Sequence, residues 1–506
     1  MRIFLYLIFL CLPYAAYAAE QVSPVGADLQ AVLDSGADLW LEPGQVYPIY
    51  KALTFKKPGQ RIATLHPKNL SDYATLRIAG ADLGQLINGN QVDDIIVEQL
   101  ILDGNRYRLS YLNKLISKKA LVFFGGGKAK GQILRHCVFM AVRTWSTLKV
   151  HEGGSDIVVE NNIFIGAGAD VRGNGREGLE NPHVDGFAWG DGISCAAQRT
   201  LVRNNVMIDP TDVGLVFFGA PGSVAEGNVI ATISRESLGG LNLVDPLKYW
   251  AFADDPTLID YRGVVLKDNW IDARGGRIHM AIPVGATPWV PSKEGYTFVG
   301  GTITGNLISG DAAAYGIILS GVKDFTVTDN RSTARYSGIA EGLNEKLPPD
   351  EPIAFVYNPA LVSDSTLQAD FKPVERHLKH LLRCNHLPRN TMGYRDYGYG
   401  EFEVQAVVTT AFKEMLGRKP NAVELAHFSL WLQASKGSAD QLRHSLMVMP
   451  EFVARHGSVN PHQMQLFRQE LWFNAFSGIL GTFPKEGVEW VEASELYRSA
   501  WAVITQ

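Results

Sequence analysis

Three aspartates near the middle of the chain could do acid–base chemistry together: Asp185, Asp191 and Asp212. They sit in its most polar stretch, which runs from Asn181 through Ser194 and continues from Asp209 to Leu215. Asp185 and Asp212 are 27 residues apart, which would place them on neighbouring turns of a repeating strand fold. Paired carboxylates are the working parts of glycoside hydrolysis: about 5 Å apart for a covalent nucleophile, roughly 6.5–9.5 Å where a water attacks. His183 follows Pro182 in a loop-like stretch, where a neutral imidazole could accept a proton. Arg277 and His279 alternate in Arg277-Ile278-His279 and would share one strand face.

Further groups could hold a polymer. Arg235 could fork a sugar carboxylate with two parallel hydrogen bonds, as could Arg143, Arg172 and Arg176, with Lys149 and His151 nearby. Trp189, Trp250 and Trp289 offer flat platforms for sugar rings. Each has a plainer reading beside the chemical one: Asp-Gly pairs are ordinary turns, and a single arginine is most often a solvated surface charge. No His/Cys cluster has zinc spacing, and calcium bound through Asp carboxylates has no specific spacing behind it, so no cofactor is expected.

The elements that must position these groups repeat. Asn162, Asn205, Asn228, Asn269, Asn306 and Asn330 each follow a β-branched run, as in Ile157-Val158-Val159-Glu160-Asn161-Asn162 and Leu201-Val202-Arg203-Asn204-Asn205. Successive gaps are 43, 23, 41, 37 and 24 residues. The short gaps fit one coil of a parallel β-solenoid; the long ones fit two coils, or one coil with a long loop. Stacking puts like above like, so the Asn side chains can satisfy backbone groups at each corner. Asn also tolerates the left-handed backbone such a corner needs. The expected fold class is therefore all-β: a parallel β-helix over residues 20–340 with an N-terminal cap, a linker and basic segment over 341–400, and an α-helical domain over 401–506. The competing fold, a β-sandwich with Asn turns, seldom repeats one unit so literally.

Residues 1–19 read as a secretory signal peptide, with Arg2, an apolar run from Ile3 to Leu12, and Ala16-Tyr17-Ala18 before the cut. The expected location is secreted or periplasmic in a bacterium, and no stretch is long and apolar enough for a transmembrane segment. A net charge of −5 gives no global case for nucleic acid as a partner. Losing Cys11 with the signal leaves Cys137, Cys195 and Cys384; the odd number favours buried free thiols, with a Cys137–Cys195 pair as the alternative. In the helical part, Gly417 ends one helix, and Asn421 with Glu424 has capping-box spacing for the next.

With its Asn-marked strand repeat, the chain resembles the pectin-lyase-like superfamily of right-handed parallel β-helices over about 300 residues. Val184-Asp185-Gly186-Phe187 is similar to the Asn-Thr-Asp-Gly element of polygalacturonases. Thr211-Asp212-Val213-Gly214 is similar to their paired-Asp strand with Thr in place of the first Asp, and Arg277-Ile278-His279 to their Arg-Ile-Lys. The Gly-His-Gly element is missing after Asp212, which counts against polygalacturonase activity itself. Asn181-Pro182-His183-Val184-Asp185 is similar to the Asp-Pro-His-Asp element of mannuronan epimerases, with Asn for the first Asp and Val184 inserted. Leu416-Gly417-Arg418-Lys419-Pro420 resembles the core of a small LGR-x-P helical domain of secreted bacterial proteins, which implies export or cell-surface association. Together these resemblances imply a carbohydrate-active protein whose partner is a polysaccharide, uronate-rich or neutral. Hydrolysis with Asp185 and Asp212 as acid and base comes first, with Asp191, His183, Arg277, His279, Arg235, Trp189 and Trp250 around them. Lyase and then epimerase chemistry follow, and a non-catalytic polysaccharide-binding or surface-assembly protein is the rival class.

Overall fold

The computed structural model describes residues 22–68, 70–109, 112, 120–168, 190–232, 236–273, 277–289, 295–310, 313–334, 336, 353–374 and 401–435, with scattered positions between 442 and 454. Residues 1–19, expected as a signal peptide, lie outside them. Three parallel sheets of 14, 11 and 10 strands run through the chain, and successive coils give one strand to each. One coil shows the pattern: Ile133–Arg135 lies in the first sheet, Val138–Met140 in the second and Ser146–His151 in the third. Val158–Glu160 then stacks on Ile133–Arg135 and starts the next coil. The protein is an all-β parallel β-helix.

In-register parallel stacking puts like residues on like. The inward positions of the first sheet are Val97, Leu134, Val159, Val202, Ala225 and Leu266 in successive coils, all at most 1% exposed. In the second sheet Phe139 stacks on Phe164 at 4.6 Å and 3°. Like charges would also stack about 4.8 Å apart. The outward row avoids this by alternating sign: Glu98, Arg135, Glu160, Arg203, Glu226, Lys267. Arg135 bonds Glu98 at 2.7 Å, Arg203 bonds Glu160 at 2.7 Å and Lys267 bonds Glu226 at 2.8 Å.

The six repeated asparagines form one buried column. Asn162 N–H and Nδ2 both donate to Asn205 Oδ1, at 3.0 and 2.9 Å, while Nδ2 also reaches back to Leu134 O. The pattern repeats from Asn205 to Asn228, Asn228 to Asn269, Asn269 to Asn306 and Asn306 to Asn330. Gln368 Oε1 closes one end by accepting from Asn330 N–H, and Cys137 N–H starts the other by donating to Asn162 Oδ1. Direct bonding across every gap means that each gap, long or short, is a single coil. One detail differs from expectation. The left-handed residue at each corner is not the ladder asparagine but the one before it: Asn161, Asn204, Gly227, Asp268, Gly305 and Asp329 all have φ between +54° and +68°. That residue turns the chain, and the turn aims the next side chain inward.

The N-terminal cap is the helix Leu29–Ser35, with Asp28 accepting from Ala31 N–H and Gly36 closing it in the left-handed region. Residues 353–373, expected as an extended connection, instead carry strands that pair in parallel with the preceding coil, Ile353–Tyr357 on Ala313–Leu319 among them. Cys137 and Cys195 are free and buried, and burial pushes the Cys195 thiol up to about 12. Helices Glu401–Leu416 and Ala422–Ser435 follow, with Gly417 at φ +68° between them. Asn421 and Glu424 cap each other's backbone N–H at 2.8 and 2.9 Å, as the spacing predicts. Arg418 forks Glu424 and also bonds Glu451 at 2.6 Å.

The ladder makes a quantitative demand. Asn228→Ala orphans the buried N–H of Asn205, removes a second donor from the Val202 carbonyl and breaks two amide links. The expected loss is roughly 3 kcal/mol or more in urea unfolding; a loss below about 1 kcal/mol would contradict a structural role for the column.

Candidate functional site

The outer face of the third sheet carries a groove. Strands Ser146–His151, Asp191–Cys195, Val213–Phe217 and Glu236–Asn242 lie side by side there. Their register sets Ser146 beside Asp191, and Lys149, Ser194, Val216 and Asn242 in one row. Strand alternation alone would not bring both Asp191 and Ser194 to the outside, because they are three residues apart. Glycine resolves this. A Cβ on Gly192 would lie 3.3 Å from Met207 Sδ, and one on Gly214 would lie 2.7 Å from Ile230 Cδ1. Both contacts are with core residues, so Gly192 and Gly214 face inward, as do the following Ile193 and Leu215. Two successive inward residues break the alternation, a local kink that re-aims the flanking side chains into the groove.

The groove encloses about 610 Å³, lined by Trp145, Ser146, Lys149, Asp191, Ser194, Asp212, Asn242, Asp245 and Trp289 among others. Asp191 and Asp212 stand on adjacent coils and are 6% and 9% exposed. Asp191 N–H donates to Trp145 O, Asp212 N–H to Gly190 O and Gly239 N–H to Asp212 O, so both backbones are pinned in the ladder. Asp191 Oδ2 accepts from Ser194 Oγ at 2.5 Å, and Ser194 Oγ meets Ser146 Oγ at 2.5 Å. Asp212 Oδ2 accepts from the Trp145 indole N–H at 3.3 Å, while its buried Oδ1 has no partner. Asn242, 1% exposed, also leaves both amide atoms without a partner. A Cβ on Gly239 would lie 2.3 Å from Asn242 Oδ1, so this amide lies over the strand that bonds Asp212. Unsatisfied polar atoms in a closed place are costly unless something else satisfies them.

Electrostatics separates the two acids. Burial, and next the Asp212 charge, pushes Asp191 well above the usual carboxylate range, with Ser194 and Lys149 pulling the other way. Burial raises Asp212 to about 6, with the Trp145 hydrogen bond opposing it. Asp191 is thus the carboxyl that holds its proton to higher pH and Asp212 the one that ionises first, the division of labour an acid–base pair needs.

Of the expected site residues, Asp191 and Asp212 come together. Asp185, His183, Trp189 and Arg235 lie outside the described residues, as does the side chain of Arg277, whose backbone pairs with Glu236. His279 is fully buried and does not line the groove, so it offers no imidazole to a polymer on the surface. Trp250 is a packing residue: its indole bonds Ala196 O at 2.7 Å and its ring fills the space beside Gly219. Trp145, Ser146, Ser194 and Asn242 were not singled out in the sequence for a site role. The signal for Trp145 and Asn242 was register, which the unequal loops hid. Among the described residues no three His, Cys, Asp or Glu side chains gather as a metal site, and no described helix is long and apolar enough to cross a membrane.

No family model and no curated protein matches the chain. Similar solved structures include a mutant tailspike protein of E. coli bacteriophage HK620 in complex with a pentasaccharide, at 12% identity and TM-score 0.43, covering 68% of this chain and 60% of that one. Another is the endo-xylogalacturonan hydrolase of Aspergillus tubingensis, at 11% identity and TM-score 0.43, covering 68% and 89%. A third is the alginate lyase of Paenibacillus sp., at 13% identity and TM-score 0.34, covering 66% and 96%. The chain thus spans 60% of the tailspike's length.

The raised Asp212 has a stability consequence. Between the ordinary 3.8 and about 6, the folded chain holds a proton that the unfolded chain has released. This group therefore weakens the fold as pH rises through that window and costs nothing below it. Asp212→Asn should stabilise the protein by about 3 kcal/mol at pH 8, with the gain shrinking toward zero near pH 4. Denaturant midpoints across that range check it; a gain independent of pH would contradict it.

Proposed function

We propose that the protein is a polysaccharide-cleaving enzyme of glycoside hydrolase type, with Asp191 as general acid and Asp212 as its carboxylate partner. The observation that carries this reading is the pair itself: two buried carboxyls on adjacent coils lining one groove, with burial raising Asp191 further than Asp212. Asp191 gives its proton to the glycosidic oxygen as the C–O bond breaks. Asp212 acts on a water or on the anomeric carbon, and the anomeric configuration of the product distinguishes these. Ser194, steadied by Ser146, fixes Asp191 Oδ2 and leaves its other oxygen to carry the proton. Trp145, 42% exposed, holds Asp212 while presenting a ring face to a sugar. The Asn242 amide supplies one donor and one acceptor, which match adjacent sugar hydroxyls.

Hydrolysis is favoured over β-elimination by the lining charges. Elimination needs cations to draw charge from a uronate carboxylate, and the described lining sets Lys149 against Asp212 and Asp245. Export belongs to the same proposal, resting on Arg2, the apolar run after it and Ala16-Tyr17-Ala18. So does cell-surface association through the helical segment beginning at residue 401.

Incubation with polygalacturonate, alginate, xylan and α-1,3-glucan tests the reading. New reducing ends without unsaturated product are expected from at least one. Asp191→Asn and Asp212→Asn should each lower kcat by about a thousandfold, and the rate should fall below about pH 6 as Asp212 protonates. Asn242→Ala should raise KM about tenfold with a smaller change in kcat. Unsaturated product, or full activity in Asp212→Asn, would remove this mechanism.

A further inference from the structure

We propose that a distal sugar-binding subsite lies on the shelf made by Phe123, His151 and Tyr249, and that it holds a neutral polysaccharide running along the solenoid axis away from the carboxylates. This rests on the groove's reading as a polysaccharide site and deepens it.

Register places the shelf. Phe123 pairs with Lys149, Lys149 with Ser194, Ser194 with Val216 and Val216 with Asn242. The last four of these line the groove, and Phe123 continues their row one coil further. Each coil step is about 4.8 Å, comparable with the length of one pyranose unit, so a chain lying along the row meets one coil per sugar. Phe123 is two steps from Ser194.

Chemistry suits a sugar there. The half-buried Phe123 stacks on His151 at 5.1 Å and 14°, so each ring covers a face of the other and the pair is held as one rigid aromatic platform. Burial, with the Lys149 charge next, lowers the His151 pKa, so the platform is uncharged at neutral pH. Tyr249 is 56% exposed, and its hydroxyl lies 3.5 Å from where a Cβ on Gly153 would stand. Its ring meets Trp250 edge-on at 4.8 Å and 82°, and Trp250 is anchored to Ala196, so Tyr249 is held in place from behind. Large aromatics kept at a surface beside a groove, with apolar faces for C–H groups and polar edges for hydroxyls, are binding features.

Charge selects the polymer. Asp212 and Asp245 line the groove with Lys149 and the proton-holding Asp191, and Glu152 stands beside His151 at 3.8 Å. A polyuronate would bring a carboxylate to each of these steps; a neutral chain avoids that repulsion.

Calorimetry with disaccharides and hexasaccharides of β-1,4-xylose, β-1,4-glucose, α-1,3-glucose and α-1,4-galacturonate tests this, in the Asp191→Asn background so that bound chains stay intact. A neutral hexasaccharide should bind more tightly than its disaccharide. Phe123→Ala should weaken the hexasaccharide about tenfold and leave the disaccharide unchanged, while Phe123→Tyr restores binding. Tyr249→Ala, at an exposed position, should show the same length-dependent loss without a change in melting temperature. Unaltered hexasaccharide binding in both alanine variants would overturn the subsite and leave the groove reading standing. Tightest binding to the galacturonate hexasaccharide would overturn the neutral polymer. No binding to any of the eight sugars would overturn the subsite and the groove reading together.

Discussion

A column of buried amides sets the geometry of this protein. Each ladder asparagine satisfies a backbone N–H and a side-chain amide of its neighbour and reaches a carbonyl across the corner. A coil that slipped by one residue would lose all of these bonds and turn its core side chains to solvent. Register is therefore fixed independently of loop length. That is why coils of 23 and 43 residues can stack without disturbing the sheets. Long loops can then be spent on function while the scaffold stays constant.

The groove depends on that constancy. Asp191 and Asp212 belong to strands separated by one coil step, and their backbones are held by ladder bonds to Trp145, Gly190 and Gly239. The kink at Gly192 turns Asp191 and Ser194 outward together, and Asp212, just before the strand that carries Gly214, lines the same groove. Low local dielectric does the rest: desolvation raises both carboxyls, and their mutual repulsion lifts Asp191 further. Neither acid would be tuned on a flat, solvated sheet. The same groove leaves Asp212 Oδ1 and the Asn242 amide without partners, which are the sites where a hydroxylated ligand gains most.

Much of this was legible in the chain. The Asn repeat named the fold, because a ladder must repeat the residue that makes it. Asp191 and Asp212 were legible as acids in the most polar stretch of the chain, Asp212 through its spacing from Asp185 and Asp191 as the acid between them. What could not be read was who sits beside whom. Asp185 is the partner suggested by spacing alone, whereas stacking pairs Asp212 with the strand that begins at Asp191. Trp145 and Asn242 are 97 positions apart and reach one groove only through coil register. Arg277 and His279 illustrate the converse: strand alternation puts them on one face, but His279 ends fully buried. The left-handed corner residues are all Asn, Asp or Gly, the types that reach that conformation most readily, but they vary from coil to coil where the ladder asparagine does not.

The central claim is that burial holds Asp191 protonated beside an ionised Asp212 at neutral pH. Infrared difference spectroscopy at pH 7.5 measures this directly through the carbonyl band of a protonated carboxylic acid. The band should be present in the wild-type protein, lost in Asp191→Asn and retained in Asp212→Asn. A wild-type spectrum without that band, or one whose band survives Asp191→Asn, would contradict the account.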